Sequence, residues 1–517
     1  MYKIGYYNYI KFRTKNPSNK QMIINIQFNN TFSNLPETFF KKVKPTPVKS
    51  PSIIILNTSL CEELNLNPKE LFSQDGVNIL SGNQIPKDAF PLAMAYGGHQ
   101  FGHWVAQLGD GRAILLGEIT GRNNIKYDFQ LKGSGITPYS RNGDGRSALG
   151  PVIREYLVSE SMHHLNIPTT RSLSIVKTGE YVMRDQILPG GILTRISQSH
   201  IRVGTFQYFF AKNDLQSLKL LKDYTINRYY KYKTLNDNSA LNLLKNVSEK
   251  QANLIALWQS IGFIHGVMNT DNTSIIGDTI DYGPCAFMDT YDINTCFSSI
   301  DQNGRYAYKN QPTIAQWNLA MLANSLLPLI IRESSSEKKA IEDTENIIYN
   351  FEDKYKTNYY NIFRKKIGLN NKKDEDIKII NELLETLYNE KLDFISTLRA
   401  LSSFLHNKDT NVFEDKNINN LYMKLDKWVL KWKKRLAHED IDMKQIITNL
   451  NKSNPVLIPR NHIIENIIEE ASFNENYKPL ETYLKYISKP YDDTNIPTEF
   501  ISPPSDINKN YKTFCGT

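Results

Sequence analysis

The sequence predicts an α+β chain of two lobes, a mixed, β-rich N-terminal lobe over residues 26–210 and a mostly helical C-terminal lobe over residues 211–500. Three observations predict it. Between residues 91 and 204 glycine is frequent and short apolar or alternating runs are separated by turns, the pattern of strands bounded by chain-breaking residues. Beyond Asp214 apolar residues recur at i, i+3 and i+4 almost to the end, the period of amphipathic helices. One stretch, residues 262–301, interrupts that period with dense Asp, Asn, Gly and Cys, and chemistry is expected there.

The elements follow in order. Residues 1–25 form a variable leader; no Asp or Glu occurs before Glu37, while Lys3, Lys11, Arg13, Lys15 and Lys20 supply charge. Mitochondrial transit peptides share that bias, but the leader is rich in Tyr, Asn and Ile, so an import signal and a loosely packed leader both stand. Pro45, Pro47 and Pro51 then punctuate short mixed segments. Ala113-Ile114-Leu115-Leu116 and Tyr127-Asp128-Phe129-Gln130-Leu131 read as strands. Residues 147–165 place Val152, Ile153, Tyr156, Leu157 and Met162 at helical spacing, and residues 335–405 and 417–450 read as helices with solvated charged faces. Residues 501–517 make a C-terminal tail.

Composition narrows the class. With 517 residues, 40% hydrophobic and 22% charged, the chain is globular rather than disordered. The net charge of +8 is spread without an unbroken basic block, which argues against a nucleic-acid arm and suits a site for polyanionic phosphates. Cys61, Cys285, Cys296 and Cys515 are too sparse for a disulfide scaffold or a zinc site, as in a reducing compartment. Apolar patches such as Leu326-Leu327-Pro328-Leu329-Ile330-Ile331 fall far short of the roughly 20 residues that span a bilayer. A monomer away from membranes is expected, cytoplasmic if bacterial and mitochondrial as the alternative if eukaryotic.

Four motifs carry chemistry. Gly109-Asp110-Gly111-Arg112, read in a strand-turn-strand context, could bring backbone and a guanidinium to phosphate oxygens, although taken alone the local evidence favours a plain β-turn. Lys132, followed by Gly133-Ser134-Gly135 and by Glu155 in the next helix, has the order of the kinase phosphate-binding lysine and its partner. Ser140-Arg141-Asn142-Gly143-Asp144-Gly145-Arg146, with Arg195 and Arg202, adds more positive charge than one triphosphate needs; solvated surface arginines are the alternative. Last, His265 and Asn272 keep the spacing of a kinase catalytic loop and Asp281-Tyr282-Gly283 stands where D-F-G would. Val267 occupies the place of the catalytic Asp, and Asp271 appears beside Asn272 instead. Two oxygen ligands this close suit Mg²⁺.

At this point the chain closely resembles the selenoprotein O family of protein adenylyltransferases. The resemblance runs through Phe28-Asn29-Asn30-Thr31-Phe32, Tyr96-Gly97-Gly98-His99-Gln100-Phe101-Gly102, residues 107–118, 130–146, 193–207 and 265–289, and Arg305-Tyr306, Asn310-Gln311-Pro312, Asn454-Pro455 and Arg460-Asn461. It implies a bilobal protein-kinase-like fold of the pseudokinase kind that holds ATP reversed, with the α-phosphate facing a Ser, Thr or Tyr hydroxyl of a protein. It further implies that Gly109, Gly111, Arg112, Lys132, Asp144, Gly145, Arg195 and Arg202 bind the nucleotide and that Glu155 holds Lys132. Asp271 would be the base, and Asn272 with Asp281 would bind Mg²⁺, with Mn²⁺ as an alternative. Family members also carry a redox-active residue near the C-terminus, here Cys515, for which Cys296 is the implied partner; Cys285 is a nearby competitor. Phosphoryl transfer of the ordinary kinase type and a non-catalytic nucleotide-binding scaffold are the alternatives, the first opposed by Val267 and the second by the full set of Lys132, Glu155, Asp271, Asn272 and Asp281.

Overall fold

The computed structural model describes residues 24, 26–230, 238–405, 415–504 and 511–513. Ten strands lie in its first part: β1 (Phe40–Lys42), β2 (Ser52–Leu56), β3 (Leu92–Met94), β4 (Gly98–Gln100), β5 (His103–Val105), β6 (Ala113–Thr120), β7 (Lys126–Lys132), β8 (Ser147–Ala148), β9 (Arg171–Met183) and β10 (Ile187–Ser197). Eight of them form one sheet in the order β1-β3-β6-β7-β10-β9-β2, with β8 also on β10. All its pairings are antiparallel. Strands β4 and β5 make a separate hairpin, and β11 (Phe263–Ile264) pairs with β12 (Ala286–Phe287). Expectation and structure differ at β1 and β2, which are short and lie at the two ends of the sheet. The prolines beside them fit there, since a residue without an N–H is tolerated at an edge.

Strand periodicity sorts the sheet into two faces. Ile114, Leu116, Phe129, Leu131, Ile192 and Ile196 pack outward with Leu60, Leu71 and Leu80 from the short helices α1 (Thr58–Glu63), α2 (Pro68–Leu71) and α3 (Gln74–Ser81). Leu115, Ile175 and Leu193 face the other way, toward α4 (Leu149–His164). Because β6 is covered on both faces, seven of its eight residues are buried, and its sequence reads as continuous rather than alternating hydrophobicity. Helix α4 contributes Val152, Ile153, Tyr156, Leu157 and Met162 to the same core, as its spacing predicts.

The second part is helical, with α5 (Val203–Ala211), α6 (Leu215–Thr225), α7 (Ser239–Ser260), α8 (Gln311–Arg332) and α9 (Glu337–Lys366) followed by shorter helices. Asp214 caps α6 by accepting from Ser217 N at 3.0 Å, the local reason the helical signal begins there. Helix α5 precedes that point, starting where the stretch read as strands and turns ends. Among the described residues the segment Tyr308–Arg332 is long and apolar enough to cross a membrane. Here α8 packs against α5, α7 and α9, with Leu319, Leu322, Leu326 and Ile330 fully buried.

A buried ionic knot ties the first part to the second. Arg228, in the turn after α6, meets Glu118 of β6 at 2.7 Å and Asp128 of β7 at 2.7 Å. His200 Nδ1 lies 2.9 Å from Asp128, and Phe32 N donates to Glu118 at 2.8 Å. Burial raises the pKa of Asp128, but Arg228 and His200 outweigh it and hold the group below its ordinary value. Breaking a buried pair strands the remaining charge. Arg228→Met is therefore expected to lower the unfolding free energy by about 3–5 kcal/mol in urea denaturation; a loss below about 1 kcal/mol would contradict this role.

A second buried carboxylate, Glu160 of α4, accepts from Arg171 at 2.9 and 2.8 Å, from Ser172 N at 2.9 Å and from Asn57 at 2.8 Å. Burial pushes its pKa up, and Arg171 with these hydrogen bonds pulls it from 4.5 down to about 2. A depressed carboxylate stabilises the fold above its unfolded pKa, and that contribution is lost as pH falls through the folded value. Between pH 4.5 and 2 the melting temperature of Glu160→Gln should therefore fall less steeply than that of the parent protein. Parallel melting curves across that window would contradict it.

Candidate active site

The alternation of β7 that buries Phe129 and Leu131 turns Gln130 and Lys132 to the opposite face, where α4 presents Glu155. Lys132 Nζ lies 2.6 Å from Glu155 Oε2. Strand register sets Arg195 of β10 beside Gln130, and its Nη1 donates to Gln130 Oε1 at 3.3 Å. The same guanidinium donates to Glu155 Oε1 from Nε at 2.7 Å and to Asp281 Oδ1 from Nη2 at 2.6 Å. Arg202, at the N-terminus of α5, reaches Asp110 Oδ1 and Asp281 Oδ2, both at 3.2 Å, and stacks over Tyr96 with 4.4 Å to the ring centre. Lys132 Nζ completes the set at 3.1 Å from Asp281 Oδ1.

Three cations, Lys132, Arg195 and Arg202, thus face three carboxylates, Glu155, Asp110 and Asp281. Burial works against ionising Asp281, but Arg195, Lys132 and Arg202 hold it well below the ordinary carboxylate range. Glu155 follows the same pattern under Arg195 and Lys132. Both arginines are buried, so each depends on its carboxylates for solvation. Asp281 also has φ 62°, a left-handed conformation that costs energy for a residue with a Cβ and concentrates at functional sites.

The chain reaches Asp281 through a fixed loop. His265 is fully buried, and burial lowers its pKa, so the neutral ring donates from Nε2 to Ile280 O at 2.9 Å. Asn272 Nδ2 donates to Val267 O at 3.0 Å, so Val267 serves through its backbone. Asp271 is 8% exposed. Its Oδ2 accepts from Gln100 Nε2 at 3.2 Å, and its buried Oδ1 has no hydrogen-bond partner among the described residues. Burial pushes its pKa up to about 6 against the pull of Gln100 and Arg202. A buried acceptor oxygen of this kind calls for a donor or a cation.

Gln100 was not among the expected site residues, nor were Asp110, Gln130 and Tyr96. The β4–β5 hairpin grips the Asp271 loop through His99 N to Thr270 Oγ1 at 2.7 Å, Phe101 N to Asn269 Oδ1 at 3.1 Å and Gln100 itself. Glycines permit this approach: a Cβ on Gly98 of the hairpin would lie 3.1 Å from Thr270 Oγ1, and one on Gly204 of α5 only 2.2 Å from Gly97 O. Asp110 carried a readable signal, a carboxylate between two glycines, but its buried bond to Arg202 spans 92 residues.

Other expected residues lie outside this cluster. Gly109 and Gly111 fit against Tyr139, where added Cβ atoms would come within 2.3 Å of its ring and 2.8 Å of its carbonyl. Their segment leads from β5 into β6 as a packed loop, so protein contacts alone account for both glycines. Arg112 is half-buried and forms no ion pair among the described residues. Asp144 is clasped by Arg184 at 2.9 and 3.0 Å, Gly145 turns with φ 65°, and Arg146 donates to Thr46 O and Pro47 O at 3.0 Å each. The arginine excess therefore divides: Arg195 and Arg202 join Asp281, while Arg146 fastens a neighbouring loop.

Cys296 is half-buried with its thiol 3.3 Å from Asp301 Oδ2, and burial with Asp301 pushes its pKa up to about 11. Cys515 lies outside the described residues. The tail at Thr513 runs beside the Cys296 segment, donating from N to Phe297 O at 2.8 Å and from Oγ1 to Pro284 O at 2.7 Å. For a metal, no cluster of three His, Cys, Asp or Glu side chains occurs among the described residues. Asn272, Asp281 and the unpartnered oxygen of Asp271 suit an ion that takes few protein oxygens and completes its shell with phosphate and water.

Comparison with known proteins adds the chemistry. Residues 22–488 match the family model described as protein adenylyltransferase SelO. Among curated relatives, the protein nucleotidyltransferase YdiU of Bradyrhizobium sp. (strain ORS 278) is 48% identical over 500 residues, covering 96% of this chain and 100% of that protein. The proteins of the same name from Anoxybacillus flavithermus and Bacillus cytotoxicus are 47% and 46% identical, covering 96% and 95% of this chain and 100% and 97% of theirs. A match of this extent, around a cluster of lysine, arginine and carboxylate side chains, places the chain in the SelO family of protein adenylyltransferases.

Proposed function

We propose that the cleft around Asp271 and Asp281 transfers AMP from ATP to Ser, Thr or Tyr hydroxyls of proteins, on a bilobal protein-kinase-like fold whose lobes meet at this cleft. The observation that carries the reading is the buried Asp271 carboxylate with an unpartnered oxygen, next to Asn272 and in place of an Asp at Val267. Asp271 takes the proton of the acceptor hydroxyl, whose oxygen attacks the α-phosphorus. The bond from that phosphorus to the bridging oxygen breaks, and pyrophosphate leaves with the electron pair. A carboxylate raised to about 6 is ionised at neutral pH yet basic enough for this task.

Lys132, Arg195 and Arg202 bind the phosphates, Asp281 would hold the metal, and Glu155 keeps Lys132 and Arg195 aimed. Gly109, Gly111, Arg112, Asp144 and Gly145 complete the nucleotide side. Asn272 and Asp281 would hold Mg²⁺, which would supply charge neutralisation at the phosphates. Most of the work is positioning. Regulation is proposed through a disulfide between Cys296 and Cys515, supported by the tail passing beside Phe297; two free thiols after mild oxidation, seen by mass spectrometry, would count against it.

With Mg²⁺ and ATP labelled at either the α- or the γ-position, protein is expected to take up α-label alone while γ-label leaves as pyrophosphate. Transfer of γ-label alone would instead support the kinase-type reading. Asp271→Asn should lower the transfer rate by about 10²–10⁴-fold with ATP still bound, and Asp281→Ala should abolish labelling. Full activity in either variant would contradict the assignment of that residue.

A further inference from the structure

The hairpin that grips the Asp271 loop has an outer side, and whatever rests there is held in fixed relation to the base. Trp104 at its edge is 38% exposed, with its ring 5.1 Å from that of His99. His99 in turn meets Trp317 edge-on at 5.2 Å. The guanidinium of Arg305 lies 5.1 Å from the Trp317 ring and 5.7 Å from Tyr306. A Cβ on Gly102, at the hairpin tip, would sit 3.7 Å from the carbon of that guanidinium. Tyr306 is anchored to the catalytic loop by its hydroxyl, which donates to Asn269 Oδ1 at 2.5 Å.

Arg305 differs from the other arginines around the site. Arg195 meets Glu155 and Asp281, Arg202 meets Asp110 and Asp281, and Arg228 meets Glu118 and Asp128. Arg305 forms no ion pair among the described residues, and its Nε is buried without a hydrogen-bond partner. Aromatic faces attract a cation but leave its charge uncompensated. Its fork matches a carboxylate in two bonds, and the cations on the nucleotide side of Asp271 are already Lys132, Arg195 and Arg202.

We propose that Arg305, framed by Trp104, His99 and Trp317, is the docking surface for the acceptor protein and selects segments that carry an acidic side chain close to the acceptor hydroxyl. The inference rests on the adenylyl-transfer reading of Asp271. Charge complementarity and the hairpin's bonds to the Asp271 loop carry it.

The test uses the full chain with Mg²⁺, ATP and a synthetic peptide library having a central Ser or Tyr and randomised flanks, with AMP-bearing peptides sequenced by mass spectrometry. Asp and Glu near the modified residue should be enriched about fivefold over Asn and Gln, the effect of an ion pair at a partly exposed site. Arg305→Lys should retain part of that enrichment, and Arg305→Glu should replace it with enrichment of Lys and Arg. Should Arg305→Glu fail to fold, Arg305→Gln is expected to lose the acidic enrichment. Modified peptides without acidic enrichment, or an enrichment unchanged in Arg305→Glu or Arg305→Gln, would overturn the proposal while leaving adenylyl transfer intact. If no peptide receives AMP from the parent protein, the adenylyl-transfer reading fails and this inference with it.

Discussion

Three cations converge on the carboxylate of Asp281, and the parts of the molecule that supply them are held together by that convergence. Lys132 ends a central strand, Arg195 comes from its neighbour, Arg202 starts the helix that follows the sheet, and Asp281 itself belongs to the helical part. With Glu155 and Asp110 included, the positive and negative groups balance before any ligand arrives. A polyanion can enter such a site only if something takes over Asp281. A divalent cation arriving with the phosphates would do so, which would give a physical reason for nucleotide and metal to bind together.

The scaffold serves this arrangement by simple rules. Alternation along β7 turns Phe129 and Leu131 into one core and Gln130 and Lys132 toward the other side. Antiparallel register then fixes Arg195 beside Gln130, so the stripe of polar groups follows from pairing alone. A second buried knot, around Arg228, fastens β6 and β7 to the helical part. The hairpin carrying Gln100 is held by hydrogen bonds to Asn269, Thr270 and Asp271. Asp271 is thereby held by the hairpin, while Asn272 and Asp281 come from the helical part.

How much of this is legible in the sequence depends on how local each signal is. Lys132, Glu155, His265, Asn272 and Asp281 are readable because chemistry requires them in a set order within short motifs, and the structure does bring Lys132, Glu155 and Asp281 into contact. The helix Leu149–His164 is readable from its period. Gln100, Gln130 and the partner of Asp110 are not, since these residues matter through long-range hydrogen bonds that leave no periodic trace. Arg146 is ambiguous from sequence alone: an arginine among glycines suggests phosphate, and in the structure the backbone carbonyls of Thr46 and Pro47 accept from it. Strands β1 and β2 lie in the segment that Pro45, Pro47 and Pro51 break into short mixed pieces, too short for a period to show, although edge positions accept the prolines.

If Asp281 restrains the three cations until a metal relieves them, its removal should change how ATP binding depends on Mg²⁺. Calorimetric titration of ATP into the parent protein and into Asp281→Ala, each with and without Mg²⁺, measures this directly. The parent is expected to bind ATP more tightly with Mg²⁺, whereas Asp281→Ala should bind metal-free ATP more tightly than the parent does and gain little from Mg²⁺. Weaker metal-free binding in Asp281→Ala, or an undiminished gain from Mg²⁺, would contradict the account.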